Sequence, residues 1–388
     1  MYYDEIEAYF FRRMRMIPLL MHVRSAVLMV CMGITGTVLT VYSGQLGVNI
    51  SLAERGGTFV DVIKENYRWG LAGTGSDLSA TQVDECGWPM VDARYVLDYR
   101  PVAEWSGAID DPDAYRINVS GTYTCSLKGQ ATVTSVAGCS VANKIYDQPG
   151  NLTTFTITVP GPVGANHGLI VIDFTGTRRT PASAAGTGFT DFRMLRPGYD
   201  LNTSKTFTDA FIAALTGIKF GVIRYMCFTN TNGCEPVYPG VTEWSKRKLV
   251  SDASQERIPQ KEKMGGAAWE YVIRLSNLVK MDPWINIPVS ATAEYVTSLA
   301  TMFRDSLDKS LHVYVESSNE VWNTAPDFNQ SLYNQAQAKA LSIGEHENHA
   351  RRTVELAKKF ESVFGQGSLN NRVRVILCSH QPMLKWWV

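Results

Sequence analysis

The chain has 388 residues, 45% of them hydrophobic and 19% charged, with 37 Lys and Arg balanced by 37 Asp and Glu. That composition is ordinary for globular cores and leaves room for two domains. The charge balance leaves no net field to attract nucleic acid or an anionic surface, whereas neutral polymers such as polysaccharides remain compatible.

Residues 1–44 read as an export segment. Arg12, Arg13, Arg15 and Arg24 precede a mostly apolar run from Ser25 to Val41, with the small residues Ser43 and Gly44 after it. The apolar run is shorter than the roughly 20 residues that span a bilayer. The pattern fits a cleavable signal peptide with the mature chain starting near Gly44, and a retained signal anchor is the alternative. Either predicts a secreted or extracellular protein that meets a membrane only if the segment is kept. Oligomeric state is not legible.

Of seven cysteines, Cys31 lies in the export segment, leaving Cys86, Cys125, Cys139, Cys227, Cys234 and Cys378. An even number suits an oxidising compartment. Sequence proximity favours Cys125 with Cys139 and Cys227 with Cys234, the alternative being buried free thiols. No CxxC spacing and no histidine cluster accompanies them, so no metal site is expected. Asp110-Asp111-Pro-Asp113 reads as a solvated loop before it reads as a calcium site, and no cofactor is implied. Asn49, Asn118, Asn151, Asn202 and Asn329 each head an Asn-x-Ser/Thr sequon and are glycan acceptors in a eukaryotic secretory pathway.

From Gln45 the chain is at first irregular. Phe59, Val60, Ile63 and Tyr67 form a short element that Gly73 to Ser76 break, and Cys86-Gly-Trp-Pro turns into a strand over Val91 to Tyr99. Tyr115 to Leu127, Ala131 to Val136, Leu152 to Val159 and Leu169 to Phe174 alternate in the β-branched and aromatic manner of strands, between glycine and proline turns. Residues 45–175 are thus expected to form a β-sandwich accessory domain. Gly176 to Gly188, within 176–190, reads as a linker.

Beyond it the periodicity changes. Asp191 to Leu195 is predicted as a strand, Phe207 to Leu215 as a helix, Phe220 to Met226 as a buried strand, and Thr229 to Arg257 as a long polar loop. Ala267 to Val279 and Ala293 to Leu307 carry helical apolar stripes, with a strand over Trp284 to Ile287 between them. Leu311 to Val315 is a strand, followed by helices over about Phe328 to Leu341 and His346 to Phe364, and a strand over Val373 to Cys378. Alternating strands and helices with apolar strands predict a parallel sheet, here part of a TIM-type (β/α) barrel over 191–388. Five strands fall short of the eight that close such a barrel, so either the sequence is a fragment of a longer product, or the missing strands are supplied otherwise, or the fold is an open doubly wound sheet.

The chemistry gathers after Leu311, in LHVYVESSNEVWN. Glu316, Ser317, Ser318, Asn319 and Glu320 lie where a parallel strand ends, the place at which α/β folds set their active sites. Ser317-x-x-Glu320 is also a capping box, the competing structural reading. The run Ser318-Asn-Glu-Val-Trp-Asn323 resembles the fourth barrel strand of clan A glycoside hydrolases, where an Asn-Glu pair supplies the acid/base. It also resembles a group of secreted hydrolase-like proteins with that barrel. The resemblance covers residues 192–388 and implies that Glu320 is the acid/base, with Asn319 beside it. The antiparallel module is similar in layout to jelly-roll carbohydrate-binding accessory domains.

A retaining mechanism needs a second carboxylate. In clan A it comes from strand seven, beyond the end of this sequence, so the chain is expected to continue past Val388. Glu316, inside the strand, is expected as a hydrogen-bonding partner. Arg224, Trp284, Asn286, Trp322, Asn323, His380 and Gln381 also fall at strand ends, where aromatic faces and amides meet sugar rings and hydroxyls. The resulting expectation is a secreted glycoside hydrolase-like protein whose partner is a polysaccharide or other glycan. The competing expectation is a non-catalytic extracellular glycan-binding or surface-structural glycoprotein.

Overall fold

A computed structural model of the chain describes residues 46–51, 57–66, 68–100, 118–161, 168–232, 240–261, 263, 265–325 and 328–378. The export segment, the Asp110–Asp113 loop, Cys234, His380 and Gln381 lie outside the described residues. Among those described, no helix is long and apolar enough to cross a membrane.

In chain order the first strand, β1 (Leu46–Asn49), is followed by β2 (Trp69–Leu71), β3 (Ala93–Asp98), β4 (Gly121–Lys128), β5 (Gln130–Ala137), β6 (Ser140–Asp147), β7 (Leu152–Val159), β8 (Leu169–Arg178) and β9 (Thr190–Leu195). Then come helix α1 (Asp209–Thr216), β10 (Phe220–Arg224), α2 (Trp269–Val279), β11 (Asp282–Ile287), α3 (Ala293–Ser306), β12 (Val313–Ser317), α4 (Asn329–Leu341), α5 (Glu345–Phe364) and β13 (Val373–Ile376).

Two four-stranded sheets, β2-β3-β8-β5 and β6-β7-β4-β9, are antiparallel throughout. They bury a single core, because each strand turns alternate side chains inward: Tyr95 and Leu97, Tyr123 and Cys125, Phe155 and Ile157, Phe192 and Met194. Trp69, Phe174, Phe189 and Phe192 form its aromatic centre, the Phe174 and Phe189 rings lying 4.8 Å apart. Burying each such ring contributes about 2–3 kcal/mol.

The third sheet has five strands in the order β1-β10-β11-β12-β13, all parallel. Ile223, Ile285, Ile287, Val313 and Val315 point to one face and join Val272 and Leu275 of α2, Leu299 and Phe303 of α3, and Phe360 of α5 in a second core. Local chemistry sets the helix ends. The Thr208 and Thr292 hydroxyls accept from the Phe211 and Tyr295 amides at the starts of α1 and α3. Lys280 and Ser342 close α2 and α4 in the left-handed conformation.

Asp191–Leu195 is not the first strand of the parallel sheet. It belongs to β9, which pairs antiparallel with β4. The sequence carries the reason, since Asp191, Arg193 and the inward Phe192 and Met194 alternate, as half-buried antiparallel strands do, whereas parallel strands run apolar throughout. The first parallel strand is β1, registered against β10, so all the antiparallel strands are inserted between two neighbouring parallel ones. Gly176 to Gly188 is not a free linker either. Its first residues extend β8, Thr177 donates its amide and hydroxyl to Asp92, and the Arg179 guanidinium binds Asp84 and the Pro89 carbonyl. The long loop after Cys227 is likewise docked: Ala253 and Gln255 donate to the Cys86 and Lys64 carbonyls, and Asp252 is buried in an ion pair with Lys263.

The expected Cys125–Cys139 disulfide is not formed. Both are free thiols, Cys125 lying in the inter-sheet core and Cys139 bonded to the Ser135 hydroxyl in the turn between β5 and β6. Cys227 is a free thiol too, while Cys234 lies outside the described residues. Among the sequons, Asn118 and Asn202 are exposed, whereas Asn151 spends its amide on the Arg179 carbonyl.

Candidate functional site

The residues expected at the strand ends share one face of the sheet because of register. Asn49, Arg224 and Trp284 pair across β1, β10 and β11, and Asn286 pairs with Glu316 across β11 and β12. In a parallel sheet, paired residues and residues two apart point the same way. Arg224, Trp284, Asn286 and Glu316 are therefore forced together on the face opposite the helices.

Glu316 is the focus of this group. Its side chain is only 2% exposed, and its Oε2 accepts from Arg224 Nη2 at 2.8 Å, Trp284 Nε1 at 2.8 Å and Asn286 Nδ2 at 2.7 Å. A carboxylate removed from water loses several kcal/mol of hydration, and a guanidinium with two further N–H donors offsets that loss. The Arg224 guanidinium also lies over the Trp284 ring, 5.1 Å from its centroid. The Cys378 thiol, just past β13, lies near Glu316. Burial and the nearby carboxylate push that thiol up to about 12, so it stays protonated.

Arg224 also fixes Asn319. A guanidinium can only donate, so the Asn319 oxygen faces Arg224 Nη2 at 3.0 Å and its amide nitrogen faces away. That nitrogen donates to Asn232 Oδ1 at 3.1 Å, and Asn232 Oδ1 takes a second bond from Gln330 Nε2 at 2.9 Å. Gln330 Nε2 also reaches the Asn319 carbonyl, while Asn286 Nδ2 reaches the Ser318 carbonyl. Each amide orientation thus follows from Arg224 or Glu316. The arrangement leaves Asn286 Oδ1, Gln330 Oε1 and Ser318 Oγ buried without a partner among the described residues.

Glu320 stands apart from this buried network. It is exposed, in the left-handed region at φ 45°, and its Oε2 accepts from Asn323 Nδ2 at 2.9 Å. Ser318 is left-handed as well, at φ 56°. Two such residues flanking Asn319 turn the chain sharply, sending Asn319 inward and Glu320 outward. No helix follows at once, since α4 begins at Asn329, so Ser317 and Glu320 do not cap one. Trp322 lies edge-on to His349, 6.1 Å between centroids, and His349 Nε2 meets the Cys378 carbonyl at 3.0 Å. Burial lowers the basicity of His349. Beside the turn, α4 and α5 enclose about 70 Å3 lined by Ser317, Asn334, His349 and Arg352, room for about two water molecules.

The structure therefore brings Arg224, Trp284, Asn286, Glu316 and Asn319 into one network. Glu320, Trp322 and Asn323 stand on the adjoining turn, and His380 and Gln381 lie outside the described residues. Asn232, Gln330 and Cys378 belong to the network without having been expected there. Only the polarity of the loop around Asn232 hinted at it. Among the described residues, no three His, Cys, Asp or Glu side chains are grouped to hold a metal ion. No family model, curated protein or solved structure matches the chain.

Proposed function

We propose that this chain is a secreted glycoside hydrolase-like protein acting on polysaccharide, with Glu320 as general acid/base and Asn319 positioned beside it. The observation that carries the reading is the Asn319–Glu320 turn at the C-terminal end of the fourth of five parallel strands. Their spatial order follows the chain order without reversal. Winding in one direction supports reading the sheet as the arc of a (β/α) barrel, since doubly wound sheets reverse at a switch point. In the same reading, the two antiparallel sheets with their shared core are an accessory β-sandwich, and residues 1–44 direct export.

The experiment is hydrolysis of a polysaccharide panel by the full chain and by Glu320→Gln. A general acid/base contributes about 10²–10⁴-fold, so the substitution should lower turnover by that factor without altering stability. Turnover unchanged by Glu320→Gln removes the residue from its role.

One observation favours a second reading, a non-catalytic glycan-binding protein. The only other carboxylate at the described C-terminal strand ends is Glu316, and its Oε2 is already held by Arg224, Trp284 and Asn286. Binding to a polysaccharide with no turnover on any member of the panel would select this reading.

A further inference from the structure

A second polar cleft lies away from the strand ends, between β9 and α2. It encloses about 230 Å3 above the buried Phe192 and Tyr271. Four cations and two carboxylates line it, but most are already engaged. Lys64 donates to the Val250 and Asp252 carbonyls, and Lys205 is paired with Asp209.

Asp61, Tyr271, Arg193 and Arg274 keep free valences. Asp61 Oδ1 accepts the Ile63 and Met194 amides, at 3.3 Å and 3.0 Å. Its Oδ2 has no protein partner among the described residues. The Tyr271 hydroxyl has none either, although the residue is only 4% exposed. Burial raises the pKa of both groups, for Asp61 against the opposing pull of Lys64 and of the amides it accepts. Arg274 spends one nitrogen on Thr206 Oγ1, and Arg193 makes one long bond, 3.5 Å, to the Leu201 carbonyl. Neither guanidinium has a carboxylate within ion-pair distance among the described residues.

We propose that this cleft binds one sugar residue of a glycan, held by Asp61, Tyr271, Arg193 and Arg274. The chemistry selects the class. A hydroxyl both donates and accepts, so a ring bearing several satisfies the Asp61 acceptor and the guanidinium donors together. A lone anion would meet Asp61 at the same depth, and a lone cation would meet the arginines. The volume admits one ring. The site is separate from the Glu320 turn and does not depend on the reading given to it.

The test is saturation-transfer NMR and calorimetry on the full chain, with methyl glycosides of glucose, mannose, galactose, xylose and N-acetylglucosamine. Sodium sulfate serves as the anion control. At least one glycoside is expected to bind, and its Kd should rise about tenfold in Arg274→Met and in Asp61→Asn, since each loses a charge-assisted hydrogen bond. Tyr271→Phe should weaken it less. If Asp61→Asn does not fold, Arg274→Met and Tyr271→Phe decide alone. Absence of binding by any glycoside overturns the proposal, as does binding indifferent to Arg274→Met and Tyr271→Phe. Sulfate displacing the glycoside and binding more tightly to Asp61→Asn would make the cleft an anion site.

Discussion

Arg224 on β10 reaches across β11 to the carboxylate of Glu316 on β12, at 2.8 Å, and the same nitrogen holds Asn319. One guanidinium thus neutralises the buried acid of the site and sets the direction of the Asn319 amide.

Arg224→Met should therefore destabilise the protein by about 3 kcal/mol, because Glu316 would remain buried without its counter-charge. Glu316→Gln should cost a similar amount by stranding the guanidinium. The double variant should cost less than the sum, since both charges leave together. Urea unfolding of the four proteins gives the coupling, and strict additivity would mean that the pair is not the electrostatic unit described here.

Ser318 is left-handed and fully buried, with a hydroxyl that has no partner among the described residues. Glycine carries no Cβ penalty in that conformation and removes the stranded hydroxyl. Ser318→Gly is expected to stabilise the fold by about 1 kcal/mol, read as a higher denaturation midpoint. A lower midpoint would show that the Ser318 side chain has a role in the turn.

Lys248 lies in the docked loop, its ammonium donates to the Glu256 carbonyl, and burial lowers its pKa to about 8. In the unfolded chain the group stays protonated up to about 10.5. Between these values the unfolded state binds more protons than the folded one, so stability rises with pH through that window. Below pH 8 the full penalty of a buried ammonium is present. Stability measured from pH 7 to pH 10 should climb in the native protein relative to Lys248→Met. Parallel curves would show that Lys248 is solvated.

Free thiols predict a specific order of reactivity. Cys227 is exposed, whereas Cys125 is buried in the inter-sheet core, where its thiol is held well above the usual range. A thiol reagent should label Cys227 in the native protein and Cys125 only after unfolding. A Cys125–Cys139 cross-linked peptide in a non-reducing digest would contradict the thiol state described.

Much of this molecule was legible in its residues. Leu152–Val159 alternates cleanly enough to give β7 its observed ends, and the apolar stripes of α2 and α3 point to the core they fill. Parity alone puts Arg224, Trp284, Asn286 and Glu316 on one face once the strands are known to be parallel. Which strand opens the parallel sheet was not legible. β1 is an edge strand of four residues whose Leu46 is exposed, so it carries no burial pattern, while β9 alternates well enough to be mistaken for it. The divergence of Asn319 and Glu320 also depended on tertiary structure. The two are adjacent in sequence, but paired left-handed residues and the pull of Arg224, Asn232 and Gln330 draw one inward and leave the other in solvent. Periodicity records which side of an element meets apolar neighbours. Hydrogen-bond partners brought together from distant loops leave no period, and only the closed fold decides them.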